Sequence, residues 1–414
     1  MAPPSSLGLR TCYQSIATLS RRHVLVGCGC VFAATVRHTD AETSPGLTVL
    51  HATSMGFSGA VPGPVIRARR GDEIKVRLVN GLDEPMALHW HGVRVPNAMD
   101  GGVPLTGPPV VPGTSVDYRF PVPDAGTFWY RAASRSQQES GLYGALLVAE
   151  PVPPLVDQDR LLIFGGRRSS RDGAQEFTLN GAAALDIVVR VNERLRLRFV
   201  NASARPMNAR IENHRVIVMA LDGQPAEPFA SRDGRIVLAP GNRADVFVDA
   251  TLAPGSIAPI MFTRERGESA MVRLVYGDMT ARQTPLGDPA PLAANRVPLR
   301  MDFSRALRIA LPIEGGNATG LPGMPLVSAA RGRTVVMAID NRDAGAHVVH
   351  LHGHHFRLLD RLDDGWKPYW LDTVAVERRQ TARIAFLADN PGRWLIEHHA
   401  IDGPAAGVNW FEVK

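Results

Sequence analysis

The chain has 414 residues, of which 45% are hydrophobic, 39 are Gly and 32 are Pro, and its formal net charge is +6. This length allows a sizeable core and two to four domains, and the composition is that of a globular, turn-rich protein rather than a disordered one. Residues 1–41 carry four Arg and one Asp, which leaves 42 basic and 39 acidic residues, or +3, in the remainder. This small excess argues against a nucleic-acid-binding surface.

The first 41 residues have the features of an export signal. Residues 20–25 contain Arg21-Arg22 and resemble a twin-arginine motif, and an apolar run over residues 24–36 follows that is too short to span a bilayer. Cys12, Cys28 and Cys30 all lie in this segment, so the mature chain would have no thiol and no disulfide. The sequence therefore predicts a twin-arginine signal peptide over residues 1–41, a periplasmic location, and no stable membrane span in the mature chain. A tail with a chance Arg pair is the alternative.

Alternating strands cut by turns recur three times along the remaining chain. The strand at residues 74–79 closes with Asn80, and similar strands close with Asn201 and Asn341. Alternation of apolar and polar residues indicates half-buried strands, and no convincing helical pattern exceeds two turns. The sequence therefore predicts an all-β protein with three consecutive β-sandwich domains at residues 42–152, 153–284 and 290–414, each of ordinary domain size.

Nine of the 13 histidines fall in three short clusters. The clusters are His89 and His91; His347, His350, His352, His354 and His355; and His398 and His399. Side chains at i and i+2 of a strand share a face, so His89 and His91 should point together while Trp90 faces the core, and His350 and His352 should also point together. Imidazole binds copper, zinc, iron and nickel, so two such pairs in the first and last domains predict a metal site between them. Two coincidental surface pairs are the alternative.

These motifs resemble those of the multicopper oxidases, the family of laccases and copper-exporting oxidases. The resemblance covers nearly the whole mature chain, and its most specific segments are residues 61–64, 89–92 with 99–101, 126–130 with 141–144, 347–356, and 393–396 with 406–407. It implies three consecutive cupredoxin-like Greek-key domains. It also implies a type 1 copper that takes electrons from a substrate and passes them through a Cys-His bridge to a three-copper cluster that reduces dioxygen.

The resemblance carries over to only part of that cluster. Five of its eight ligand positions keep histidine, namely the type 2 ligands His89 and His350 and the type 3 ligands His91, His352 and His399. The other three type 3 positions are Arg131, Ala133 and Glu397.

The type 1 site is reduced further, because only His347 remains of its four ligands. The Cys, second His and axial positions are occupied by His398, Gly403 and Val408. Without a thiolate, the chain lacks the ligand that makes a blue copper centre. Strand alternation predicts that His398 faces the former type 1 side, where it could pair with His347.

The replacements inside the cluster suggest a substitute for the metal. A guanidinium is permanently cationic, so Arg131 in a narrow cavity would oppose cation binding, whereas a carboxylate at Glu397 would favour the arginine. We expect these two side chains to pair between the first and third domains, in place of lost copper. The alternative is that both face solvent.

One copper or zinc ion remains compatible with the histidines that are left. His89 and His350 could bind it, together with a subset of His91, His352, His399 and Glu397. Asp100 matches a family acid implied in proton relay, and a turn residue beside Gly101 is the alternative. We interpret His214, His354 and His355 as structural.

Six of the twelve expected ligand positions therefore differ, and three functions remain. The first is an exported scaffold or binding protein without oxidase activity, for which the copper-free FtsP (SufI) type is the precedent within this fold. The second is a copper-binding oxidoreductase that uses a residual type 2-like site, and the third is a working laccase. The first is favoured because disturbing a metal ligand usually costs function. It implies no copper or a partial copper site, and a periplasmic protein partner; a phenolic or metal substrate belongs to the second.

Overall fold

The alternating segments form the strands that their pattern predicts. The computed structural model describes residues 46–168, 175–264, 267–298, 300–314, 321, 323–359, 369–403 and 405–414. The predicted signal peptide at residues 1–41 lies outside these ranges. Besides strands, the described residues form one short helix, α1 (Arg135–Glu139), and two 3₁₀ turns, at Asn97–Met99 and Arg232–Gly234. None of the described helices is long and apolar enough to cross a membrane.

The first sandwich pairs two four-stranded sheets. Its strands are β1 (Thr48–Thr53), β2 (Gly56–Phe57), β3 (Ile66–Arg69), β4 (Glu73–Asn80), β5 (Leu88–His91), β6 (Ser115–Pro121), β7 (Gly126–Ala132) and β8 (Tyr143–Ala149). The sheet orders are β2-β1-β4-β6 and β3-β8-β7-β5. In β4, Ile74, Val76 and Leu78 are buried while Arg77 is exposed, so the period-2 pattern selects the face that packs on the core.

The second sandwich is the largest. Its strands are β9 (Gln158–Arg168), β10 (Gln175–Leu179), β11 (Leu185–Val191), β12 (Glu193–Asn201), β13 (Met207–Ile211), β14 (Val216–Leu221), β15 (Gln224–Ala230), β16 (Arg235–Leu238), β17 (Arg243–Ala250), β18 (Ile257–Arg264) and β19 (Gly267–Thr280). They form sheets of the order β10-β9-β12-β17-β14-β15 and β11-β19-β18-β13-β16. Arg243, at the start of β17, points out of this sandwich toward the third.

The third sandwich repeats the plan of the first. Its strands are β20 (Leu307–Ile313), β21 (Ser328–Ala329), β22 (Arg333–Asn341), β23 (His347–Leu351), β24 (Phe356–Leu359), β25 (Thr373–Val376), β26 (Thr381–Ala388), β27 (Gly392–Ala400) and β28 (Ala406–Val413). The sheet orders are β20-β22-β26-β24 and β21-β28-β27-β23-β25. The strands β5 and β7 of the first sandwich correspond to β23 and β27 here, since each pair is antiparallel and carries a histidine cluster.

The asparagine that closes each repeated strand has the same structural role three times. Asn80, Asn201 and Asn341 are fully buried. Each donates its amide N–H to the carbonyl four residues later, at 2.8–2.9 Å, and to a more distant carbonyl. The internal repeat predicted from the sequence is therefore confirmed in the contacts, and so is the all-β architecture of three sandwiches. The limits of the three domains stay predictions.

The buried apolar residues that the structure describes form two main clusters rather than three. One cluster joins the first and third sandwiches and includes Trp90, Phe128, Trp394 and Phe411. The second sandwich has its own cluster. Continuous packing between the first and third sandwiches places β5 and β7 beside β23 and β27, and this brings the histidine clusters together.

Candidate functional site

Strand alternation places the two His-X-His pairs opposite one another. In β5, Trp90 is fully buried in the core, while His89 and His91 project from the other face. His350 projects from β23, and His352 follows one residue after its end. The ring centroids of His89 and His352 are 3.9 Å apart, and those of His91 and His350 are 3.6 Å apart and nearly parallel. The predicted orientation of both pairs is confirmed.

His89 and His350 face each other through the same ring nitrogen. Their Nε2 atoms lie 3.1 Å apart. Each Nδ1 lies against a backbone carbonyl, Asp100 O at 3.1 Å from His89 and Asp372 O at 3.0 Å from His350. A carbonyl oxygen can only accept, so both Nδ1 atoms carry the proton, and both Nε2 atoms keep a lone pair when the rings are neutral.

The neutral form of these rings is favoured by burial. Burial, followed by the neighbouring charge of His352, lowers the pKa of His89 to about 3. Burial also lowers the pKa of His350. Two neutral imidazoles with lone pairs facing each other repel, unless a cation lies between them. Two nitrogen ligands of a tetrahedral ion that is about 2.0 Å from each would be about 3.3 Å apart.

His91 completes a group of three nitrogen donors. Donor atoms of His89, His91 and His350 all lie within 4.8 Å of one another, and all three residues are buried. The Nε2 atom of His91 lies 3.0 Å from Thr373 Oγ1, while its Nδ1 atom is buried without a hydrogen-bond partner. Burial lowers the pKa of His91 well below its usual value, so this ring is neutral too. We call His89, His91 and His350 the three-histidine group.

His352 has a different environment, although it is the second member of its pair. Its Nδ1 donates to Asp100 Oδ2 at 2.8 Å, and its Nε2 lies 3.4 Å from Glu397 Oε1. Burial disfavours the imidazolium, but the charges of Asp100 and Glu397 outweigh burial and raise the pKa of His352 to about 9. At neutral pH this ring is therefore a cation between two carboxylates.

Arg131 and Glu397 extend this arrangement. The Nη2 atom of Arg131 donates to Glu397 Oε2, as predicted from the sequence, and its Nη1 donates to the carbonyls of Ala132 and Ala133. Burial alone would raise the pKa of Glu397, but the charges of Arg131 and then His352 hold it well below its usual range. We call Asp100, His352, Glu397 and Arg131 the charged chain.

Asp100 connects the charged chain to the three-histidine group. It is fully buried, and its Oδ1 lies 3.4 Å from His89 Nδ1. Burial opposes its ionisation, but the charge of His352 and their hydrogen bond lower the pKa of Asp100 below its usual value. Its backbone N–H also ends the 3₁₀ turn Asn97–Met99. The two interpretations of Asp100, turn residue and acid of the cluster, are therefore compatible in the geometry.

A cavity of about 450 Å³ opens beside these groups, between the three sandwiches. It is lined in part by Ala133, Ser203, Ala204, Gly241, His399, Ala406 and Val408. The methyl group of Ala133 leaves space where the resemblance implies a ligand. His399 lines this cavity but belongs to neither of the two donor groups that could hold a metal ion among the described residues, which are His89, His91 and His350, and His89, Asp100 and His352. Burial, then the charges of Arg135 and Arg131, lowers the pKa of His399 to about 3.

A buried ion pair between the second and third sandwiches lies against the three-histidine group. Arg243 donates from Nη1 to Asp372 Oδ1 at 2.9 Å and from Nη2 to Asp372 Oδ2 at 2.6 Å, with both residues fully buried. Asp222 accepts the backbone N–H groups of Arg243, Asp372 and Thr373 at 2.9–3.3 Å. A Cβ at Gly92, where φ is +81°, would meet Arg243 Nη2 at 2.2 Å, so the residue after His91 has to be glycine.

Sequence reasoning missed Thr373, Asp372, Arg243 and Asp343 as parts of the site. Asp343 lies 2.7 Å from His347 Nε2. These residues follow no metal-ligand spacing and belong to no histidine cluster, so no local signal could have identified them. Of the two histidines interpreted as structural, His354 lies edge-on to Phe386 and Phe411. His355 lies beside the site, with its Nε2 3.3 Å from Asp222 O and 3.6 Å from Asp372 Oδ2. His214, in the second sandwich, lies beside Tyr276 and far along the chain from every cluster.

Comparison with known proteins identifies the family. Models described as multicopper oxidase match residues 38–152, 120–258 and 290–402. A crystal structure of Lac15 from a marine microbial metagenome is 32% identical, superposes with a TM-score of 0.76, and covers 89% of this chain and 100% of its own. A multi-copper oxidase from Pseudomonas thermotolerans is 29% identical, with a TM-score of 0.78 and coverages of 89% and 99%.

The chain belongs to the multicopper oxidase family. Among curated relatives, multicopper oxidase MmcO of Mycobacterium tuberculosis is 27% identical over 425 residues, which span 86% of this chain and 82% of that protein. The predicted cupredoxin-type fold is confirmed by this membership.

The type 1 copper of the family does not fit the residues present. His347 and His398 lie side by side, with ring centroids 5.7 Å apart, as their strand positions predict. No hydrogen bond links them among the described residues, and the Nδ1 of each is buried without a partner. Gly403 and Val408 offer no donor side chain, and the chain has no Cys after residue 30. No electron-transfer step can therefore be derived through a thiolate.

The three-copper cluster fits only in part. The three-histidine group presents imidazole nitrogens of the type that copper or zinc binds, and the partnerless Nδ1 of His91 is the orphaned atom expected of a ligand. His352 Nε2 is likewise buried without a hydrogen-bond partner, and His352 forms a second possible donor group with His89 and Asp100. The two groups share His89, and Glu397 is paired with Arg131. The residues therefore fit one ion and do not fit three.

Proposed function

We propose that this chain is an exported multicopper oxidase relative that does not catalyse laccase-type oxidation and that acts as a scaffold or binding protein. The observation that carries the proposal is the ion pair of Arg131 with Glu397 at two positions that hold ligands in the family. The pair satisfies Glu397 without metal, and the guanidinium cannot lose its charge.

The charged chain opposes further cations for an electrostatic reason. Arg131 and the imidazolium of His352 supply two positive charges, and Asp100 and Glu397 supply two negative charges. The four charges therefore sum to zero in a buried, low-dielectric region. An additional divalent ion at this place would be uncompensated, and a buried unpaired charge costs several kcal/mol.

The location of the protein follows from its N-terminal segment. A twin-arginine signal exports folded chains, which suits a protein whose three sandwiches share buried contacts. We place the mature chain in the periplasm. Its partner would be a periplasmic or cell-wall protein, as for the copper-free FtsP type, although a shared fold does not determine a shared function.

Loss of oxidase chemistry is tested on the purified mature protein after copper loading. We expect no blue absorption band, no oxidation of a phenolic dye, and no dioxygen consumption that depends on the dye. Multicopper oxidase MmcO serves as the positive control. Turnover of the dye with several bound copper ions per chain would contradict the proposal.

A second candidate function is supported by the His89 and His350 pair. Their facing Nε2 lone pairs, 3.1 Å apart, favour one copper or zinc ion held by the three-histidine group. A bound ion would supply Lewis acidity, and copper would also supply one-electron chemistry. Asp100 O and Asp372 O orient the two rings by accepting their Nδ1–H groups.

Metal titration tests this candidate. We expect one equivalent of Cu²⁺ or Zn²⁺ to bind the mature protein, and the double variant His89→Ala/His350→Ala to lose it. His214→Ala is a matched control, because it removes an imidazole that is outside the site. Binding that is retained in the double variant would reject the three-histidine site.

A further inference from the structure

Thr373 presents a single hydroxyl to two of the three histidines. Its Oγ1 is 3.0 Å from His91 Nε2 and 3.0 Å from His350 Nδ1. It is also 2.7 Å from Asp372 Oδ1. Thr373 is 1% exposed, so none of these contacts competes with bulk water.

The protons of this arrangement can be assigned by counting donors and acceptors. A hydroxyl has one hydrogen and two lone pairs, and an ionised carboxylate only accepts. Since Asp372 takes the hydroxyl hydrogen of Thr373, Oγ1 must accept from both rings. His91 therefore carries its proton on Nε2, whereas His350 carries its proton on Nδ1.

Arg243 keeps Asp372 in the accepting form. The guanidinium pairs with both carboxylate oxygens of Asp372 at 2.9 and 2.6 Å. A bidentate arginine pair in a buried place stabilises the carboxylate strongly. The direction of the Thr373 hydroxyl is thus determined by an arginine of the second sandwich.

The free nitrogen of His91 is therefore Nδ1, whereas the free nitrogen of His89 and His350 is Nε2. His89 and His350 are held by backbone carbonyls with Nε2 free. His91 has no carbonyl contact of this kind, and its Nδ1 is buried and without a partner. If His91 took the other tautomer, its proton would occupy Nδ1, the ring nitrogen that Thr373 does not engage, and an N–H cannot bind a metal.

We infer that Thr373 is a positioning residue that selects the Nε2–H tautomer of His91 and so completes a mononuclear three-nitrogen site, His89 Nε2, His91 Nδ1 and His350 Nε2, for one divalent first-row metal ion. The metal part of this inference rests on the second candidate function. The tautomer part stands on the metal-free protein alone.

Two variants separate the hydroxyl from the packing. Thr373→Val removes the hydroxyl and keeps the shape, and Thr373→Ser keeps the hydroxyl. The tautomers are read in metal-free protein labelled with ¹⁵N-histidine, from long-range ¹H–¹⁵N correlation spectra. The parent should show His91 as Nε2–H and both His89 and His350 as Nδ1–H.

In Thr373→Val we expect the Nδ1–H form of His91 to gain population, because the only acceptor left near Nε2 among the described residues is the more distant Asp372 Oδ1, at 3.4 Å. His350 should stay Nδ1–H because Asp372 O still accepts from it. Affinity for Zn²⁺ should fall about 10- to 100-fold in Thr373→Val, the usual effect of removing a partner of a metal ligand, and should be restored in Thr373→Ser. Serine rescue excludes a merely structural role for residue 373.

The outcomes are distinguishable. A parent protein with His91 as Nδ1–H, which needs no variant, overturns the inference, and so does a Thr373→Val protein whose His91 tautomer is unchanged. Tautomers that behave as expected in a protein without Zn²⁺ or Cu²⁺ affinity support the role of Thr373 and reject the metal site. Changed tautomers with unchanged affinity reject His91 as a ligand.

Discussion

The three-histidine group and the charged chain lie side by side, contain residues from the same two His-X-His pairs, and differ in what their second ring nitrogens contact. In the three-histidine group, each ring directs one nitrogen to an uncharged oxygen at 3.0–3.1 Å, with a carboxylate oxygen farther away at 3.4–3.5 Å, and its other nitrogen has no oxygen partner among the described residues. In the charged chain, His352 lies between two carboxylates, and Arg131 satisfies the outer one. The type of residue thus does not decide whether a histidine can bind metal. The charge of its neighbours decides it.

The largest effect on stability should follow from removing the arginine of the Arg131–Glu397 ion pair. Arg131→Leu leaves Glu397, whose side chain is 21% exposed, without its arginine. Removing one member of a buried pair costs about 3–5 kcal/mol, and the partial exposure of Glu397 places this loss at the lower end, about 3 kcal/mol. We expect this loss in the free energy of unfolding, measured by urea titration of metal-free protein.

The matching control for Arg131 is the double variant Arg131→Leu/Glu397→Leu. It removes both charges, so it should recover most of the loss, because an apolar replacement of a buried ion pair is often neutral or stabilising. A single variant that unfolds like the parent would show that the pair does not stabilise this region.

The second effect is a pH dependence that belongs to His352. Its pKa is about 9 in the folded chain and about 6.5 in an unfolded one. The stabilisation is therefore fully present below the unfolded value and is lost as the pH rises through about 9. The difference between the two pKa values corresponds to about 3 kcal/mol.

His352→Gln isolates this contribution, because glutamine does not titrate. Urea titrations of parent and variant at about pH 6 and about pH 10 should show that the parent loses about 3 kcal/mol more than the variant. Equal losses in both proteins would mean that His352 is not held as an imidazolium.

The third prediction separates the two groups by metal affinity. His350→Ala removes a donor of the three-histidine group, and we expect it to weaken Zn²⁺ binding at least about 100-fold, or about 2.7 kcal/mol. His352→Gln should not weaken the binding, because it removes a positive charge beside His89 and leaves the three donors in place. Isothermal titration calorimetry measures both; comparable losses would show that the groups form one site.

The smallest effect is expected from an exposed ion pair of similar geometry. Arg273 pairs with Asp186 at 2.7 Å, but the two side chains are 52% and 42% exposed. Arg273→Leu should leave the free energy of unfolding almost unchanged, since water and salt screen such pairs. A cost as large as that of Arg131→Leu would indicate that burial is not the reason for the difference.

Much of the fold could be predicted from the sequence, because strands are determined by local alternation. The strand that ends at Asn80 and its two repeats were located within a few residues, and their buried asparagines have equivalent contacts. The shared face of each His-X-His pair follows from the same period of two. The absence of a thiolate ligand is a property of composition, and no tertiary structure could alter it.

The tertiary structure decided which of the matching residues act together. His89 and His350 are 261 residues apart in the chain, and Arg131 and Glu397 are 266 apart. The opposite charges of Arg131 and Glu397 suggested that these two residues pair. Only packing of the first sandwich on the third brings the atoms of both pairs into contact. Thr373, Asp372 and Arg243 have no sequence signal at all, because their role depends on where a hydroxyl hydrogen points. The sequence alone determined the family and the missing ligands. The direction of each remaining imidazole is a property of contacts among three sandwiches, which local sequence pattern does not encode.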